Sequence, residues 1–78
     1  MRELTEIKDE LKYLLETIYG AEDIEDNSSF KNDFGMDSLD VIEFWIHIER
    51  KFDITTDELV TEEIDTLAEA AAYLYGRI

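Results

Sequence analysis

Seventy-eight residues with 21 acidic and 7 basic side chains, a net charge of −14, describe one small acidic domain over residues 1–78. Such a surface repels nucleic-acid phosphates and anionic lipid, so nucleic-acid binding is excluded and partners with basic patches are expected. The lack of cysteine excludes a disulfide framework and a thiolate metal site, and no long apolar run or secretory segment is present. A cytoplasmic monomer without membrane insertion is the expectation.

The first apolar run, Leu4, Ile7, Leu11, Leu14, Leu15 and Ile18, has the spacing of an amphipathic helix, with Gly20 as its C-cap. Residues 21–36 then show no helical period. Connections longer than about 12–15 residues are uncommon in small domains and are often functional. Ile24, Phe30 and Phe34 are placed to pin this loop to the core. A second helix is predicted from Asp37 or Ser38 to Phe52. Asp57 is placed to cap a short third helix over Glu58–Thr61, and Asp65 or Thr66 to cap a last one through Leu67, Ala70, Ala71, Leu74 and Tyr75. Strand alternation is weak throughout. The fold class is all-α: a small four-helix bundle with a long loop between helices 1 and 2 and a short third helix.

Stepping about 100° per residue along the second helix puts Val41, Phe44, Trp45, Ile48 and Phe52 on one core-facing stripe. Ser38, Ile42 and Ile46 line up beside it at i, i+4 and i+8, next to Glu49. The serine thus heads an apolar ridge flanked by carboxylates. That ridge either meets a partner or packs on the loop or the third helix.

A serine at a helix start is often only a cap. It is not an activated nucleophile here. The single histidine, His47, lies on the opposite side of the same helix and about 13.5 Å along its axis. No segment fits a calcium loop, with its required glycine and terminal glutamate, so neither a catalytic residue nor a metal site is expected. Ser38 suits being acted upon. A phosphodiester there would meet the free N–H groups of a helix N-terminus.

The run from Ser29 through Phe30, Phe34, Gly35, Met36, Asp37, Ser38, Leu39 and Asp40 to Phe44 resembles the modification site of acyl carrier proteins. The likeness continues through Ile48-Glu49-Arg50-Lys51-Phe52-Asp53-Ile54, Ile64, Thr66-Leu67, Ala70 and Tyr73-Leu74, and is weakest in the first helix. The resemblance implies that residues 1–78 form a single acyl-carrier domain. It implies that Ser38 receives a 4′-phosphopantetheine arm from coenzyme A, through a magnesium-dependent phosphopantetheinyl transferase. The arm's thiol, not the protein, would then carry acyl groups as thioesters. Asp37, Asp40, Glu43 and Glu49, with Ile42 and Ile46 among them, match positions that meet basic surfaces of acyl-transferring, condensing or ligase enzymes. Phe30, Val41, Trp45, Ile48, Thr61, Ile64 and Ala70 match positions that line the acyl chain.

Three departures from fatty-acid carriers stand out: Trp45 where a smaller aliphatic residue is usual, Thr56-Asp57 where Ile-Pro is common, and Thr61 where alanine is common. They predict a pocket restricted by the Trp45 ring and suited to short or polar cargo. The pathway stays open among fatty-acid, polyketide and specialised biosynthesis. An aminoacyl or peptidyl carrier, and an unmodified structural adaptor of the same fold, are the alternatives. The acidic pair around the serine favours an acyl over a peptidyl carrier, and the intact Asp37-Ser38-Leu39 run argues against the adaptor.

Overall fold

Four helices, α1 (Leu4–Tyr19), α2 (Ser38–Phe52), α3 (Glu58–Thr61) and α4 (Leu67–Tyr75), make up the computed structural model, which describes residues 2–78. The fold is all-α, and its helix boundaries are those the apolar periodicity predicts.

In α1 the buried residues are Ile7, Leu11, Leu14 and Leu15. Leu4 and Ile18, on the same apolar run, are exposed at the two ends of the helix. Gly20 ends α1 with φ 66°, a left-handed conformation that costs glycine little, and returns its N–H to the Glu16 carbonyl at 3.1 Å. The main helix–helix contact is α1 on α4. On α4, Leu67, Ala70, Ala71 and Leu74 are buried, and the two alanines let the backbones approach closely. Tyr75, expected on this face, is exposed instead.

Thr66, rather than Asp65, caps α4. Its hydroxyl accepts the Glu69 N–H, and the Glu69 carboxylate accepts the Thr66 N–H, a reciprocal capping box. Asp65 turns toward the long loop, where its carbonyl accepts the Phe30 N–H at 2.8 Å and its carboxylate accepts the Ser29 hydroxyl. The adjacent Ser29–Thr66 pair forms an isolated antiparallel bridge.

The loop over residues 21–36 is therefore anchored rather than free. Phe30 is fully buried and meets Phe44 of α2 edge-on, with ring centroids 5.3 Å apart. Met36 is the second buried anchor, which the sequence reading did not single out. Ile24 and Phe34 are half-buried against the core. Asp26 adds a 2.8 Å ion pair with Lys8 of α1, and its carbonyl accepts the Ala68 N–H.

Candidate functional site

Ser38 is the first residue of α2, and it is exposed. Asp37, not Ser38, performs the capping: its Oδ1 accepts the Asp40 N–H at 2.8 Å, while Asp40 Oδ2 accepts the Asp37 N–H at 3.2 Å. The serine hydroxyl is thus not needed to close the helix. Of the first-turn donors, the Asp40 N–H goes to this cap and the Val41 N–H to the Asp37 carbonyl. Helix geometry leaves those of Ser38 and Leu39 without an intrahelical acceptor. Gly35, with φ 66°, makes the turn that brings Met36 into the core just before the cap.

The back of this first turn is held from α1. The Tyr19 hydroxyl donates to the Asp40 carbonyl at 3.2 Å. Burial pushes the Tyr19 phenol above its ordinary pKa, and the carboxylates of Glu43 and Asp40 push in the same direction.

A cavity of about 320 Å³ runs along α2 from Ser38. That lies at the small end of ligand pockets, which span roughly 300–1,000 Å³. One wall is Ser38, Val41, Ile42, Trp45 and Ile46, followed by Glu49. The other side is Thr56 with Glu58, Thr61 and Glu62 of α3 and its end, and Lys31 comes from the long loop. Ile42 and Ile46 are exposed along the groove, so the apolar ridge headed by Ser38 is one of its walls.

Of the residues that the family resemblance puts around an acyl chain, Val41, Trp45 and Thr61 line this groove. Phe30, Ile48 and Ala70 are wholly buried in the core, and Ile64 packs against it. None of those four faces the groove. Lys31 and Thr56 do; Lys31 was not singled out from the sequence, and Thr56 was noted only as a departure from fatty-acid carriers. Lys31 follows the Phe30 anchor directly, which was the available signal; Thr56 is brought in only by the chain reversal after α2.

The acidic positions differ in how free they are. Glu43 is exposed on α2. Asp37 and Asp40 are tied together in the cap. Glu49 turns inward, its Oε2 accepting from the N–H and the hydroxyl of Thr56 at 2.7 and 3.1 Å. Among the described residues no cluster of three or more ligand side chains is arranged to hold a metal, and no helix is long and apolar enough to cross a membrane.

Trp45 is 3% exposed, and its Nε1–H is the one buried side-chain N or O atom without a hydrogen-bond partner among the described residues. Leaving such a donor unpaired costs about 1–3 kcal/mol. The fit of this site to a tethered arm rests on two features: the exposed serine beside a separately capped helix end and the groove leading from it.

The profile described as the phosphopantetheine attachment site matches residues 5–74. Over 50 residues the chain is 40% identical to an acyl carrier protein of Exiguobacterium sp., a stretch covering 64% of this chain and 63% of that relative. The family match runs from the first turn of α1 into the last turn of α4 and includes Ser38.

Proposed function

The chain belongs to the phosphopantetheine attachment-site family, whose cofactor is a covalently held 4′-phosphopantetheine, and from that premise we propose that it is a non-catalytic acyl carrier with Ser38 as the attachment residue. The observation that carries this reading is the exposed Ser38 hydroxyl, at the start of α2 and on the wall of the groove, with the helix end closed by Asp37 instead.

In the modification, Ser38 Oγ forms the new P–O bond to the phosphate of coenzyme A that bears the pantetheine. Its proton passes to a base of the transferase, and adenosine 3′,5′-bisphosphate leaves. The arm supplies a thiol that holds acyl groups as thioesters. The protein's own contribution is to fix the serine, offer the Ser38 and Leu39 N–H groups to the phosphodiester, and line the groove. Two like charges from Asp37 and Asp40 stand close by, so these donors and Lys31 offset the repulsion of a phosphate there. The net charge of −14 supports partners with basic docking patches, the transferase among them, and Glu43 and the apolar pair Ile42 and Ile46 form the part of α2 open to them.

Incubation with coenzyme A, magnesium and a broad-specificity phosphopantetheinyl transferase, followed by intact mass and peptide mapping, tests the assignment. One arm on Ser38 is the expected result, with Ser38→Ala folded and unmodified. An arm on Ser28 or Ser29, or none, refutes it.

A further inference from the structure

Trp45 lines the groove, yet its Nε1–H has no partner. The polar groups around it are already engaged. The Thr61 hydroxyl donates to the Glu58 carbonyl, the Thr56 hydroxyl donates to Glu49, and the Tyr73 hydroxyl accepts the Asp57 N–H. Their donor or acceptor roles hold them in these bonds, and in this structure none of them also accepts from the indole. Buried donors in folded proteins are nearly always paired, so an orphan beside a cavity points to an acceptor that arrives from outside.

The position of the indole says which part of a tethered molecule would reach it. Trp45 stands two helical turns from Ser38, about 10.5 Å along the axis. It is buried, whereas Ile42 and Ile46 on the same wall are exposed. A chain fixed at Ser38 and folded back along α2 presents its free end, the cargo, at this depth. The opposite wall is α3, a single turn whose Leu59 and Val60 are exposed and which rests on the Glu49–Thr56 and Asp57–Tyr73 hydrogen bonds. The nitrogen is shut off from solvent, so an incoming acceptor reaches it only if that turn moves outward.

We propose that the Trp45 Nε1–H reads the cargo, donating a hydrogen bond to an oxygen on the acyl chain, so that the groove selects oxo- or hydroxyacyl groups over all-hydrocarbon ones. The inference rests on Ser38 carrying the arm. An unpaired donor in an apolar groove discriminates in the required way: a chain without an acceptor leaves the N–H unsatisfied on closure, and a chain with one does not.

Trp45 is the only tryptophan, so its indole gives a single, unambiguous ¹⁵N–¹H signal. The full chain is loaded with arms bearing nothing, a saturated hexanoyl group, or a 3-oxohexanoyl group, each through the same amide linkage, and intact mass is recorded before each spectrum. The expected result is a downfield indole proton with the 3-oxo cargo alone. In Trp45→Phe, the advantage of the 3-oxo over the saturated thioester in resisting hydrolysis, each rate taken relative to the same acyl group on free pantetheine, should fall by a factor of about three to ten, the worth of one hydrogen bond. The wild-type spectra decide the matter should that variant unfold. A downfield indole in the bare-arm or hexanoyl form assigns the acceptor to the arm or the linking amide and overturns the proposal. So does an upfield indole unchanged in every form, which would mean that the Tyr73 ring, edge-on at 5.8 Å, takes the N–H. Absence of the arm from the mass spectrum overturns the Ser38 reading and this proposal with it; an arm present with an unresponsive indole overturns the proposal alone.

Discussion

Glu49 stands on α2, but its carboxylate binds Thr56 beyond the helix end, accepting the Thr56 N–H at 2.7 Å and the hydroxyl at 3.1 Å. Between them the chain leaves α2 at Asp53, which has φ 54°, and turns back toward α3. The pair sets how far α3 stands from α2, and so the width of the groove between Trp45 and Thr61.

Glu49→Ala should therefore loosen α3 rather than merely remove a surface charge. A charge-assisted hydrogen bond of this kind contributes about 1–3 kcal/mol, with solvent contact placing it toward the lower end. Urea unfolding should show a loss of that order, and amide exchange at Thr56 and through α3 should quicken while α1 and α4 keep their protection. Uniform quickening across all four helices would contradict a local role.

Glu43, by contrast, is exposed on α2, and Glu43→Lys should act on partners. The expected outcome is slower modification by the transferase through association rate, with little change in melting temperature. The deficit should shrink as ionic strength rises, since screening at 0.15 M acts beyond about 8 Å. Equal rates for wild type and variant at low salt would place the docking surface elsewhere.

Phe30 is the loop's main anchor, fully buried and edge-on to Phe44. Phe30→Ala should cost about 3–5 kcal/mol, a large share of the stability of a domain this small. Phe30→Leu keeps an apolar filler and should recover part of the loss. If the loop positions Ser38, the folded fraction of Phe30→Leu should still be modified more slowly than wild type. A rate that merely follows the folded fraction would show that the loop's anchor does not matter to the serine.

Tyr19 predicts an alkaline weakness. Its folded-state pKa is raised, chiefly by burial and then by Glu43 and Asp40, above the ordinary tyrosine value of about 10. The unfolded chain ionises first, so the stability this phenol contributes is fully present below the ordinary value and is lost as pH rises through the raised one. Urea midpoints followed upward from pH 9 should fall more steeply for wild type than for Tyr19→Phe. Parallel curves would assign the alkaline loss to other groups.

The amino-acid sequence by itself determined the helices and the place of the serine. Ile7, Leu11, Leu14 and Leu15 bury one face because residues three and four apart share a side of an α-helix, and that relation is local. The left-handed turn at Gly20 and the start of α2 beside Asp37 are equally local, fixed by which residue tolerates a given backbone conformation or offers a short acceptor. The proposed role of Ser38 was legible in another way, through the resemblance of the run around it to the modification site of acyl carrier proteins.

What only the tertiary structure decided is everything that depends on distant segments meeting. The family resemblance put Glu49 among the acidic docking positions, and periodicity cannot report that the chain turns back at Asp53 and brings Thr56 within hydrogen-bonding distance of it. Which of the residues that the family resemblance puts around an acyl chain stand open to the groove also depends on tertiary packing: Val41, Trp45 and Thr61 line it, Phe30, Ile48 and Ala70 are buried in the core, and Ile64 packs against that core. The unpaired indole of Trp45 belongs with these: whether a buried donor finds an acceptor is settled by which groups from α3 and α4 arrive around it, and they arrived already bonded to one another.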